Sequence, residues 1–232
     1  MPRKNVRKIY VKDGIYHIYN RGVEKRVIFL EDNDYKYFLK LLKDSLSIPS
    51  QPPKINFTVT FKGQTFKGVP RQPKNFTDKI ILLAYCLMPN HFHLLIKQTN
   101  DTTIKKFMQS VSTRYSMYFN KKYDRVGSLF QSAYRAILVQ EERYLLHLSR
   151  YIHQNPSESG QKLKDSYSSY ADYLNLRNTN WINKTIILSN FNNKKVNSLN
   201  IPSHINSYQS FVEDSEIVSE DMLGNIILDD LD

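Results

Sequence analysis

The sequence predicts an α+β protein: a ferredoxin-like antiparallel sheet in the order βαββαβ, followed by one extra helix. Three observations lead there. Two strand-length runs, Ile80–Met88 and His91–Lys97, are separated only by Pro89 and Asn90, the spacing of a hairpin. Apolar residues recur at helical spacing on both sides of that pair, at Tyr35, Phe38, Leu39, Leu42 and Leu46, and at Ile104, Phe107, Met108, Val111, Tyr115 and Tyr118. Segments rich in β-branched and aromatic residues, Ile15–Asn20 and Tyr134–Val139, stand before the first stripe and after the second.

Taken in chain order, Ile15–Asn20 is the first strand. Asp32, Asn33 and Asp34 then offer caps to the first helix. Residues 48–77 break the pattern with Pro49, Pro52, Pro53, Pro70 and Pro73, and they carry no acidic residue. Their Phe-Thr-Val-Thr-Phe run at 57–61 predicts a basic β-hairpin inserted between core elements. Ile80–Met88 is apolar throughout, as a strand covered on both faces must be. The second helix bears Lys105, Lys106 and Arg114 beside its apolar stripe. The third helix starts at Gln140-Glu141-Glu142 and is expected to stop near Asn155-Pro156, where proline removes an N–H. We expect a domain over 1–160, an Asn- and Ser-rich extension over 161–212 wrapped loosely on it, and a disordered acidic tail over 213–232.

The chain has 232 residues and a formal net charge of +11. Residues 213–232 hold eight acidic side chains and no Lys or Arg, which leaves +19 on residues 1–212. A body this basic attracts polyanions. The single cysteine, Cys86, rules out a disulfide within the chain and an all-cysteine zinc site. The longest apolar run, Ile80–Met88, has nine residues and is too short to span a membrane. The basic N-terminus leads into no long apolar stretch, so no secretory signal is expected.

Two clusters carry chemistry. In His91-Phe92-His93, strand alternation puts both imidazoles on one face, where they can share a metal ion, and turns Phe92, Leu94 and Ile96 to the other. An isolated His-x-His pair is more often two unliganded histidines. On the third helix Tyr151 and Asn155 are four residues apart and share a face, with Tyr151 at the edge of the stripe Leu145, Leu148, Ile152. Among 16 tyrosines, a tyrosine at a core edge is by itself unremarkable. Arg21, Lys25 and Arg26 follow the first strand, with Tyr16 and Tyr19 inside it: cations for phosphates and rings for unpaired bases.

Five blocks then occur in a fixed order: Ile15-Tyr-His-Ile-Tyr-Asn-Arg-Gly22, Leu87-Met-Pro-Asn-His-Phe-His-Leu-Leu95, Gly127-Ser-Leu-Phe-Gln131, Tyr134-Arg-Ala-Ile-Leu-Val139 and Ser149-Arg-Tyr-Ile-His-Gln-Asn-Pro156. With them the chain resembles the REP-associated tyrosine transposases, single-tyrosine members of the HUH class, from about residue 3 to 175, with a weaker echo at Tyr208–Glu213. The resemblance implies a DNA transposase that nicks and joins single strands. His91 and His93 would hold a divalent ion, Mg²⁺ or Mn²⁺, with Asn155 as a further oxygen ligand. Tyr151 would be the nucleophile, leaving a 5′-phosphotyrosine. The DNA would be single-stranded and hairpin-forming, held by Tyr16, Tyr19, Arg21, Lys25, Arg26, Lys105, Arg114 and Arg135. A cytoplasmic, nucleoid-associated protein is expected, with no membrane partner and with room for a homodimer. The chain departs from the pattern in the length of 48–77, in Ser132-Ala133 where Gly and a basic residue are usual, and in the weakly basic Ser157-Glu-Ser159.

Three other readings compete. A non-catalytic nucleic-acid-binding module would share the fold without the cleavage. A replication initiator would nick with the same chemistry. A zinc hydrolase would recruit His17, His147 or His153 to the histidine pair, but no third ligand stands at metal-motif spacing.

Overall fold

The computed structural model describes residues 8–48, 57–68, 73–158, 160–192, 201–202, 204–214 and 223. The expected core elements all form. In chain order they are β1 (Ile15–Arg21), α1 (Asp32–Leu46), β2 (Phe57–Phe61), β3 (Gln64–Gly68), β4 (Ile80–Met88), β5 (His91–Gln98), α2 (Thr103–Lys122), β6 (Arg135–Val139) and α3 (Glu142–Glu158). Short helices follow: α4 (Tyr170–Tyr173), α5 (Thr185–Asn192) and α6 (Tyr208–Glu213). The main sheet has the order β4-β5-β1-β6 with every pair antiparallel, the topology of a ferredoxin-like βαββαβ unit. β2 and β3 pair only with each other, as the basic hairpin expected within 48–77.

Strand alternation divides the core into two layers. Phe92, Leu94 and Ile96 of β5, with Tyr16 and Ile18 of β1, face α1 and α2 and pack on Phe38, Leu42, Ile104, Phe107 and Val111. The opposite face carries Cys86, Met88 and Leu95 against Leu145, Leu148 and Ile152 of α3. A register shift between Leu82 and Ala84 turns both Leu83 and Ala84 to this second face. β4 is apolar throughout because it is covered on both sides.

Two expectations need correction. α3 does not stop at Pro156 but runs on to Glu158 with the proline inside it. Proline removes one donor, but in the final turn little helix remains to be broken. The described part of the C-terminal extension is not loose. Residues 167–169 lie along the outer edge of β4, where Leu87 N–H donates to the Tyr167 carbonyl and Ser169 N–H to the Tyr85 carbonyl. Asn183 N–H donates to the Leu82 carbonyl on the same edge. The exposed edge is thereby closed against other strands. Tyr170, Tyr173, Tyr208 and Phe211 complete the second core layer. The acidic tail lies almost wholly outside the described residues, as do Lys54 and Arg71 of the insertion.

A buried polar chain ties this extension to α3. Ser169 Oγ and Tyr208 Oη each lie 2.7 Å from a ring nitrogen of His153, and Tyr208 donates onward to Ser149 Oγ. Burial pushes His153 down to about 3. In the unfolded chain histidine titrates near 6.5, so the unfolded state takes up the proton first as pH falls. Stability therefore declines below about pH 6.5, by about 2 kcal/mol at pH 5 for each such histidine. Urea midpoints at pH 7.5 and pH 5.0 test this; a midpoint that does not move would rule the effect out.

Candidate active site

β1, β5 and α3 meet over the second face of the sheet. In register, Arg21 of β1 stands opposite His91 of β5, Tyr19 opposite His93 and His17 opposite Leu95. On the other side of β1, Arg135 of β6 stands opposite Tyr19. The His91 and His93 ring centroids are 4.9 Å apart, and the rings are perpendicular. The Tyr151 ring of α3 meets His93 edge to face at 5.6 Å. Asn155, one turn on, brings Oδ1 to 3.2 Å from His91 Nε2.

The turn between β4 and β5 sets the tautomer of His91. Gly22 N–H donates to the Asn90 carbonyl, and Ile28 and Phe29 N–H both donate to the Pro89 carbonyl, so the loop after β1 is laid onto this turn. Gly22 is needed for so close an approach, because a Cβ there would lie 2.3 Å from the Arg26 carbonyl oxygen. Asn90 Nδ2 donates to the Lys25 carbonyl at 3.2 Å, which turns Asn90 Oδ1 to His91 Nδ1 at 2.6 Å. An amide oxygen only accepts, so His91 carries its proton on Nδ1 and a lone pair on Nε2. Asn155 Nδ2 donates to the Tyr151 carbonyl, which likewise turns Oδ1 inward. His91 Nε2 and Asn155 Oδ1 thus present lone pairs to each other.

His93 is fully buried. Its Nδ1 lies 2.9 Å from His17 Nε2, and its Nε2 has no hydrogen-bond partner among the described residues. Burial pushes His91 down to about 4, aided by Arg21, and holds His93 well below the usual range. Both imidazoles are neutral at pH 7, the state in which histidine ligates metal. Two lone-pair nitrogens and an amide oxygen on one face form a donor set that suits a divalent ion. His147 and His153 are not part of it: His147 packs on Phe211, and His153 belongs to the polar chain described above.

The expected DNA contacts separate into groups. Arg21 and Arg135 lie on the face of the site, and Arg21 Nε is buried without a hydrogen-bond partner among the described residues. Lys25 is exposed at the rim, while Arg26 is half-buried and paired with Glu24 at 3.0 Å. Lys105 and Arg114 are on α2, in the layer across the sheet, where Arg114 lies 4.0 Å from Asp44 of α1. Helical periodicity placed them on one helix but could not say which side of the sheet that helix covers. Tyr16 and Tyr19 are each 1% exposed. The Tyr16 hydroxyl accepts from Val11 N–H, and Tyr19 lies among His17 and His93, so neither ring offers a face for a base. Tyr151 is 4% exposed rather than at an open edge. Sequence reasoning missed His17 and Asn90 as partners of the histidine pair. Both lay inside the resembling blocks, Asn90 in Met-Pro-Asn-His and His17 in Ile15–Gly22, but nothing in the sequence said that either would meet a ring nitrogen of the pair.

Residues 72–155 match the family "Transposase IS200 like". The solved structure of a REP-associated tyrosine transposase bound to a REP hairpin is 13% identical, with a TM-score of 0.50 over 75% of this chain and 86% of that one. A candidate transposase from Deinococcus radiodurans R1 is 15% identical over 66% of this chain and 97% of its own, with a TM-score of 0.36. No curated protein matches significantly. Over residues 72–155, therefore, the chain matches the IS200-like transposase family model, and its fold is similar to that of a REP-associated tyrosine transposase.

Proposed function

We propose that this protein cuts and rejoins single-stranded DNA through a covalent bond to Tyr151, with a divalent ion held by His91, His93 and Asn155. One observation carries the reading: His93, against the Tyr151 ring, has Nε2 without a hydrogen-bond partner among the described residues, and beside it His91 Nε2 and Asn155 Oδ1 meet at 3.2 Å as two lone pairs once Asn90 holds the His91 proton on Nδ1. Such a set is costly to bury for packing alone. A bound Mg²⁺ or Mn²⁺ would polarise a phosphoryl oxygen and stabilise the charge that develops on it.

The chain's own residues supply the rest. Asn90 fixes the orientation of the His91 imidazole, and the bond from Asn155 Nδ2 to the Tyr151 carbonyl fixes that of the Asn155 amide. Arg21 and Arg135 offer positive charge to the phosphodiester on the same face. The Tyr151 oxygen attacks phosphorus, the bond to the 3′ oxygen breaks, and that oxygen leaves as a hydroxyl after taking up a proton. The 5′ phosphate remains on Tyr151, so its energy is kept for transfer to a new 3′-hydroxyl. The REP hairpin in the solved neighbour makes hairpin-forming DNA the substrate to test first.

The test is an end-labelled hairpin oligonucleotide incubated with the protein and Mn²⁺, then resolved under denaturing conditions. The expected product is a labelled protein band whose DNA-bearing peptide contains Tyr151. A cut with no covalent band would point to water as the nucleophile and sink the reading.

The β2–β3 hairpin is expected to bind that DNA as well. Its tip residue Lys62 is exposed, and Lys67 lies in β3. Deleting 57–68 should make the dependence of binding on salt shallower, by roughly one unit of slope for each phosphate no longer neutralised. An unchanged slope would take the hairpin off the DNA surface.

A further inference from the structure

We propose that His17 is a positioning residue for the histidine pair: it accepts the Nδ1 proton of His93 and so leaves the Nε2 lone pair of His93 facing the site. The inference rests on the metal site proposed above and adds to it a residue that does not touch the ion.

The geometry is specific. His17 and His93 are both 0% exposed. Their rings are stacked, with centroids 5.1 Å apart and planes 15° from parallel, and a single hydrogen joins His17 Nε2 to His93 Nδ1 across 2.9 Å. That hydrogen has two possible owners. If His17 owns it, His93 must carry its own proton on Nε2, a buried donor with no acceptor among the described residues. Orphaned buried N–H groups are rare because they lose their hydrogen bonds to water and gain none in return. If His93 owns it, the bond to His17 satisfies Nδ1 and the bare nitrogen is Nε2. The same logic holds one residue pair away, where Asn90 takes the Nδ1 proton of His91. Both imidazoles are then presented through Nε2. A ring partner of this kind fixes the tautomer and orientation of a ligating histidine.

His17 could instead be a core histidine that only fills space between β1 and α3, so the test must separate packing from proton placement. Long-range ¹H–¹⁵N spectra of the metal-free full-length protein, labelled at histidine, report which ring nitrogen of His93 carries the proton. We expect Nδ1 in the wild type and a shift toward Nε2 in His17→Leu. His17→Gln, whose amide oxygen can still accept, should restore Nδ1. Calorimetric titration with Mn²⁺ should show affinity reduced 10- to 100-fold, on the order found for such partners, in His17→Leu, and near wild type in His17→Gln. A wild-type His93 protonated on Nε2 would overturn the proposal even if His17→Leu does not fold. So would a folded His17→Leu that binds Mn²⁺ as tightly as wild type. Wild-type protein that binds no Mn²⁺ would remove the metal site itself, and the spectra would still decide the placement of the proton.

Discussion

Tyr151→Phe is expected to abolish both the DNA cut and the denaturant-resistant adduct while leaving DNA binding intact. Removal of a covalent nucleophile typically costs on the order of 10⁴-fold or more in turnover, because no neighbouring group takes over the attack. The ring itself stays, so its packing on His93 and within the second core layer is kept. Loss of the hydroxyl should cost no more than about 1–2 kcal/mol of stability. Tyr144, two turns earlier on the same helix, is the comparison. It is half-buried, next to Arg143 rather than the histidines. Tyr144→Phe should keep the adduct. An adduct that survives in Tyr151→Phe, or that maps to Tyr144, would reassign the nucleophile.

Replacing both His91 and His93 with Ala should remove divalent-dependent cleavage and calorimetric Mn²⁺ binding, with DNA affinity changed less than about threefold, under 1 kcal/mol. Affinity for a polyanion comes mainly from cations spread over the surface, such as Lys25 at the rim, whereas the imidazoles are neutral. The two substitutions differ in their structural cost. His91 is half-buried, and its loss leaves Asn90 Oδ1 near solvent. His93 is enclosed, and its loss removes the hydrogen-bond partner of the buried His17 Nε2, a penalty of about 1–3 kcal/mol. If the double variant melts too low to assay, His91→Ala alone carries the test. Full cleavage by a folded His91→Ala protein would refute the metal assignment.

Several features of this protein are local and were legible in the chain itself. Strand alternation makes His91 and His93 share a face whatever surrounds them, and helical spacing does the same for Tyr151 and Asn155. The runs of apolar residues specify the order of strands and helices, since each run must bury one face to form at all. Long-range packing decided the rest. Which layer α2 occupies removed Lys105 and Arg114 from the face of the site. The covering of both sheet faces enclosed Tyr16 and Tyr19, which were expected to stack bases, and Tyr151, which was expected at a core edge. The pairing of β1 with β5 brought His17 within hydrogen-bond reach of a histidine 76 positions away. Periodicity constrains only which side of its own element a residue takes. What that side meets depends on contacts between segments far apart in the chain, and those exist only once the sheet has closed its register.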